Sequence, residues 1–124
     1  MNLAKHPLKH LALVTGSSSG IGREVAVRLS RDGFRVMVHY NRNEPGAVET
    51  LERITTAGGQ GDLIRFDTQN KDEIEKALGD FFQSHPDLRL DVLVNNAGIH
   101  KDNLLGLMSD EAFDSVMKTN VYGP

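Results

Sequence analysis

"VTGSSSGIGRE", residues 14–24, decides the fold. Gly16, Gly20 and Gly22 and the serines Ser17, Ser18 and Ser19 lie between two regular patterns. Before them runs Leu11 to Val14, short and apolar, which predicts a strand buried on both faces. After them Ile21, Val25 and Leu29 recur at helical spacing until Asp32-Gly33 stops the run. Serine and glycine suit neither element, so the stretch reads as a strand, a small-residue loop and a helix.

The same alternation continues outward. Phe34 to Val38 predicts a second strand, and "NRNEPG" (41–46) breaks the chain. Ala47, Val48, Leu51 and Ile54 mark a second helix, stopped by Gly58-Gly59. Leu63 to Phe66 predicts a third strand. Asn70 can cap a third helix with the stripe Ile74, Ala77, Leu78, Phe81 and Phe82, ended by His85-Pro86. Val92 to Val94, entered from Leu90 and Asp91, predicts a fourth strand. Ser109 then caps a helix with Asp110 and Glu111 in its first turn and Phe113, Val116 and Met117 on its apolar face. Short apolar strands alternating with helices predict an α/β, doubly wound parallel sheet with right-handed crossovers. No repeat, low-complexity tract or domain linker interrupts it.

Composition bounds the function. The chain has 124 residues, 39% hydrophobic and 25% charged, which is ordinary for one globular domain. A formal charge of −3 favours neither nucleic acid nor a membrane surface. The absence of cysteine excludes disulfides, thiolate zinc sites and a cysteine nucleophile. His6, His10, His39, His85 and His100 show no metal-ligand spacing, so no metal site is expected. No apolar run approaches the ~20 residues of a membrane span. "MNLAKHPLKH" has no continuous apolar signal core, and a soluble, cytoplasmic chain is the expectation.

In a doubly wound sheet, ligands bind beyond the carboxyl ends of the strands, where the small-residue loop lies. The helix starting near Gly20 presents unpaired N–H groups and the positive end of its dipole there. Glycine allows φ > 0 and close approach, and serine hydroxyls add donors. This suits a pyrophosphate, but a plain small-residue turn before a helix cap would read the same way. The spacing is neither G-x-G-x-x-G nor a Walker loop.

Three more stretches fall where a dinucleotide needs them. They are "FDTQN" with Asp67, "NNAG" (95–98), and "KTNVYG" with Asn120. With "TGSSSGIG" (15–22), in this order and spacing, they resemble the short-chain dehydrogenase/reductase family over essentially the whole chain. "VNNAGIHKDNLLGLMSDEAFDSVMKTN" (94–120) is most similar to the β-ketoacyl-[acyl-carrier-protein] reductase branch. The resemblance implies that Gly16, Ser18, Ser19, Gly20, Ile21 and Gly22 line the pyrophosphate and adenosine ribose. It implies that Asp67 and the Thr68 backbone bond the adenine, and that Asn95, Asn96, Ala97 and Gly98 wall the cofactor and tie the fourth strand to its neighbours. Asn120 is implied as the asparagine of an Asn-Ser-Tyr-Lys tetrad, opening its helix and holding a water in the proton relay. Read without the family, Asp67 is a helix cap, Asn95 and Asn96 a turn, and Asn120 a polar helix residue.

The second strand runs "VMVHYNRN" (36–43), and the acid that an NAD site places there falls on or near Tyr40. No acid appears before Glu44, whereas Arg42 lies between Asn41 and Asn43. An arginine grips a phosphate bidentately, so Asn41 and Arg42 predict NADP(H). Many NADP-type relatives carry a basic residue where this chain has Ser19, which leaves the 2′-phosphate chiefly to Arg42. A solvated loop charge is the plainer reading of Arg42.

The family's chemistry also needs a tyrosine acid, a lysine four residues after it, and a serine. The two tyrosines here are Tyr40, with Glu44 at that spacing, and Tyr122. The expectation is therefore that residues 1–124 are the N-terminal part of one dinucleotide-binding domain, strand order 3-2-1-4, without the catalytic half. The exposed edge of the fourth strand would then need covering, by the rest of a longer product or by a homo-oligomer. The implied activity is NADPH-dependent reduction of a carbonyl in a small-molecule or acyl-carrier-bound substrate, such as a 3-oxoacyl thioester. The rivals are a nucleotide-binding remnant without turnover and an unrelated flavodoxin-like module.

Overall fold

The computed structural model describes residues 10–96. Strands β1 (His10–Val14), β2 (Arg35–Tyr40), β3 (Gly61–Arg65) and β4 (Arg89–Val94) alternate with helices α1 (Gly20–Arg31), α2 (Glu44–Thr56) and α3 (Lys71–Ser84). The sheet is parallel, in the order β3-β2-β1-β4. The chain therefore winds outward from β1 to β3, then crosses back to place β4 on the other side of β1. In doubly wound sheets such a reversal is where ligands bind, beyond the carboxyl ends of the strands, here β1 and β4.

Each face of the sheet has its own core. Leu11, Leu13, Met37, Ile64, Phe66 and Leu90 meet Ile74 and Leu78 of α3. Val14, Val36 and Val38 meet Ala26 of α1 and Ala47 and Ile54 of α2. Burial on both faces explains why β1 and β2 read as continuous apolar runs. In β4, Leu90 and Leu93 pack on the same face although three residues apart. The register explains this: Leu11 pairs Leu90 but Ala12 pairs Val92, so Asp91 is bulged out. Its carboxylate contacts Nδ1 of His10.

The helices correct the sequence reading in three places. Ile21 does not belong to the buried stripe of α1 and is 75% exposed. The buried line is Gly22, Ala26 and Ser30, with Val25 and Leu29 partly buried beside it. Small residues let α1 approach its neighbours closely. Val48 is likewise 39% exposed, because α2 turns Ala47, Thr50 and Ile54 inward. Finally, Glu44-Pro45-Gly46 is not a break but the first turn of α2, capped by Asn43, whose side chain accepts from the Gly46 N–H. Proline is tolerated there because first-turn N–H groups have no intrahelical partner.

Asn70 caps α3 as expected, its Oδ1 accepting from the Glu73 N–H at 3.1 Å. Glu73 reaches back to the Asp67 N–H at 3.1 Å and to Arg65 at 2.7 Å. Asn70→Ala is expected to lower stability by about 1 kcal/mol. The measurement is the urea midpoint, which should fall with an unchanged slope. The helix expected after Ser109 lies outside the described residues. None of the described helices is long and apolar enough to cross a membrane.

Candidate functional site

The loop from Thr15 to Ser19 lies at the carboxyl end of β1, and its backbone is fixed group by group. The Thr15 N–H donates to the Val94 carbonyl at 3.0 Å. The Gly16 N–H donates to Nδ1 of His39 at 3.0 Å, and the Ser17 N–H to the His39 carbonyl at 3.1 Å. The Ser17 hydroxyl donates to the Val14 carbonyl at 2.8 Å and accepts from the His39 N–H at 3.0 Å. The loop carbonyls are held as well. Asn96 Nδ2 donates to the Gly16 carbonyl at 3.3 Å, and the Thr50 hydroxyl to the Ser17 carbonyl at 2.8 Å. The Arg23 guanidinium donates to the Ser18 carbonyl at 2.7 Å.

The next five N–H groups, Ser18 to Gly22, make no hydrogen bond among the described residues. Ser19 is the N-cap of α1 but its side chain makes no capping bond. The result is a row of free donors at the positive end of a helix dipole, with the repelling carbonyls tied to the protein. Such an arrangement binds anions. Glycine geometry fits a ligand there. Gly20 has φ 58°, and a methyl built on it would meet nothing within 4 Å. The space over the helix start is therefore open. Gly22 is closed on the other side: a methyl there would lie 2.3 Å from the Gly16 carbonyl oxygen.

Four residues that sequence reasoning passed over organise this loop. His39 is 2% exposed, and its Nε2 bonds the Phe66 carbonyl at 2.8 Å. Because Nδ1 accepts from Gly16, the proton sits on Nε2 and the ring is neutral. Burial pushes its pKa below the ordinary histidine range, the Phe66 bond opposing. Arg23 also donates to the Gly46 carbonyl at 3.1 Å and to Thr50 at 2.9 Å, joining the loop to α2. Thr15 accepts from the Asn96 N–H at 2.8 Å. A polar residue in the last two positions of an apolar strand was the available signal for His39. Arg23 and Thr50 carry none, since their partners are distant in sequence.

The other expected residues surround this loop. Asn96 spans Gly16 and Thr15 at the end of β4, and Asn95 lies beside it, its Oδ1 3.3 Å from the Thr15 hydroxyl. Asp67 follows β3 and forms a local turn, accepting from the Gln69 N–H at 2.9 Å. Thr68 is buried, and its hydroxyl and N–H have no partner among the described residues. These two groups fit an adenine edge. Beyond β2, Asn41 is held by Arg65 through its carbonyl at 3.1 Å and its Oδ1 at 2.8 Å. The Arg42 guanidinium is exposed and makes no hydrogen bond or ion pair among the described residues. Tyr40 donates to the Glu44 carboxylate at 3.1 Å. Burial, and then this bond, raise the pKa of its phenol. Ala97, Gly98 and Asn120 lie outside the described residues. Among the described residues there is no group of three or more side chains suited to a metal ion.

Known proteins are similar to this chain in sequence and fold. The short chain dehydrogenase family model matches residues 10–124. A 3-oxoacyl-[acyl-carrier-protein] reductase of Staphylococcus epidermidis is 38% identical over 112 residues, which is 90% of this chain and 45% of that protein. The enzyme of the same name from Synechocystis is 35% identical over 113 residues. The chain thus spans about half the length of the curated relatives it matches, 45% in both cases. Among solved structures, the promiscuous keto-reductase LugOII of lugdunomycin biosynthesis superposes with a TM-score of 0.66 at 40% identity, covering 76% of this chain and 39% of that one. The landomycin C-6 ketoreductase LanV, solved with NADP and rabelomycin, gives 0.66 at 32% identity, covering 89% of this chain and 46% of that one. On the family match, the sheet order and the sequence identity together, the chain belongs to the short-chain dehydrogenase family.

Proposed function

We propose that this chain forms the N-terminal, nucleotide-binding part of a reductase that uses NADP(H) to reduce a carbonyl, such as that of a 3-oxoacyl thioester. The observation that carries the reading is the row of five free N–H groups from Ser18 to Gly22. They would receive the pyrophosphate, with Gly16 and the Ser19 hydroxyl beside it. Ile21, exposed at the mouth of the loop, would cover the cofactor's apolar surface. Asp67 and Thr68 would read the adenine. Asn95, Asn96, Ala97 and Gly98 would wall the crevice, and Asn120 would serve the proton relay. When bound, the nicotinamide supplies hydride. The acid that protonates the carbonyl oxygen and its lysine would come from outside residues 1–124. A cytoplasmic homo-oligomer acting on a small-molecule or acyl-carrier-bound substrate completes the reading, with no role for nucleic acid or a membrane.

The preference for NADP(H) rests on Arg42. Its guanidinium is unengaged beside Asn41, and the Glu44 carboxylate is drawn onto the Tyr40 phenol. The names of the relatives support the carbonyl: two are 3-oxoacyl reductases, and LanV was solved with NADP. Titration calorimetry with NADP+ and NAD+ tests the reading. NADP+ should bind more tightly, and Arg42→Ala should remove about 1.5–3 kcal/mol of that preference, roughly tenfold or more. At 100 times its dissociation constant the nucleotide should stabilise the fold by about 2.7 kcal/mol. Equal affinity for NAD+ would overturn the NADP assignment. Binding of FMN but neither nicotinamide nucleotide would favour a flavodoxin-like module.

A further inference from the structure

Among the described residues, His39 is the one buried titratable side chain whose ring touches the loop. The ring bridges two structures. On one side Nδ1 accepts the Gly16 N–H at 3.0 Å, at the second residue of the loop. On the other Nε2 donates to the Phe66 carbonyl at 2.8 Å, at the end of the third strand. The His39 backbone bonds Ser17 in both directions, through its carbonyl and its N–H. The ring also lies against the Phe66 ring, with centroids 4.1 Å apart. The Gly16 bond needs an unprotonated Nδ1, and with the Phe66 bond this places the neutral ring's proton on Nε2. A second proton on Nδ1 would face the Gly16 N–H, donor against donor. Gly16 is held at φ 66°, so this bond helps fix a turn that few conformations provide.

We propose that His39 is a positioning residue for the phosphate loop: its neutral ring sets the Gly16 backbone, and protonation releases it, so nucleotide binding weakens on acidification. The proposal rests on the nucleotide reading above but concerns a residue that reading does not use. The surroundings favour the neutral form in the usual pH range. The ring is 2% exposed, and burial lowers its affinity for a proton. The charged groups it feels are Arg65, the last residue of β3, and Asp67, two residues on, and they oppose each other. From β1 and the loop, among the described residues, it bonds Gly16 and Ser17, which do not titrate.

The sign follows from linkage. The folded ring binds its proton less readily than the unfolded one. The folded state is therefore fully stable above the unfolded pKa of 6.5 and loses stability as the pH falls below it. The released loop no longer presents its N–H row in one geometry. Because the folded ring takes up its proton only below the unfolded pKa, affinity falls at a lower pH than the one at which stability begins to drop.

The test compares NADP+ binding by the full chain and by His39→Asn from about pH 7.5 down to about pH 4.5, within the range where both stay folded. Asparagine keeps an acceptor near the Nδ1 position and does not titrate, and the comparison cancels protonation of the nucleotide's own phosphate. The expected result is a loss of affinity in the wild type about threefold or more beyond that of His39→Asn. Parallel curves overturn the proposal. Should neither protein bind NADP+ at any pH, the nucleotide reading fails and the proposal is decided by NMR without ligand. The His39 ring nitrogens should show the Nε2–H tautomer, and the Gly16 amide should shift on the same titration curve. An Nδ1–H tautomer, or a Gly16 amide that ignores the titration, overturns it.

Discussion

Gly22→Ala is expected to abolish NADP+ binding and to lower stability by about 1–3 kcal/mol, the usual range for overpacking. The added methyl would lie 2.3 Å from the Gly16 carbonyl oxygen and 2.4 Å from Asn96 Nδ2. The first of these is backbone and cannot swing aside. Relief requires α1 to move away from the loop, or Gly16 to turn and give up its bonds to His39 and Asn96. Either change scatters the N–H groups from Ser18 to Gly22, so binding should suffer more than stability. Two glycines supply the comparison. A methyl on Gly20 meets no atom within 4 Å, but the residue sits at φ 58° and in front of the free donors. Gly20→Ala should therefore cost about 1–2 kcal/mol in strain. Gly79, in α3 and far from the loop, also has an open Cβ position. Gly79→Ala should gain about 0.5–1 kcal/mol and leave binding alone. Thermal unfolding and calorimetry on the three variants check the pattern. A Gly22→Ala protein that binds normally would show that the contact of α1 with Gly16 is not part of the site.

How much of this was legible in the sequence depended on whether the deciding partner was near in the chain. β1 and β2 were legible because burial on both faces removes polar interruptions, as in "LALV" and "VMV", and β3 and β4 through shorter apolar runs. The cap at Asn70 was legible because capping acts over three residues, and the start of α1 because small residues give way there to helical spacing. Which face of α1 packs was not. Ile21, Val25 and Leu29 form an apolar line, but the helix lies too close to the sheet for it. The neighbouring line of Gly22, Ala26 and Ser30 faces inward instead. The bulge at Asp91 was hidden because β4 carries apolar residues on both sides of it. The site divided in the same way. The loop glycines and the "NNAG" start are local signals, and the structure brings Asn96 onto Gly16. The supports of the loop are tertiary. Arg23 becomes part of it only when α2 delivers Gly46 and Thr50, and His39 only when β1 and β3 flank β2.

Phe66→Ala should have the largest effect on stability, about 3–5 kcal/mol. Phe66 is fully buried and is the largest side chain of the core. It packs with Leu11, Leu13, Met37, Ile64 and Leu90 of the sheet and with Ile74 and Leu78 of α3. Against a typical total of about 5–15 kcal/mol, such a loss takes much of the fold's margin. For a chain of 124 residues the midpoint temperature should drop by about 4 °C per kcal/mol. Calorimetry measures it directly, and Phe66→Leu should retain most of the stability because it fills most of the volume. A drop of only a degree or two would mean that α3 does not close that face. The substitution also reaches the site. The Phe66 ring is the wall against which the His39 ring rests. Removing it lets water approach the imidazole, which weakens the burial that keeps the ring neutral. The pKa of His39 should rise toward its ordinary value. Whatever Phe66→Ala protein remains folded should therefore release its loop at a higher pH than the wild type. Stability lost in the core and acid sensitivity gained at the loop would then have one cause, because one residue closes the core and walls the histidine.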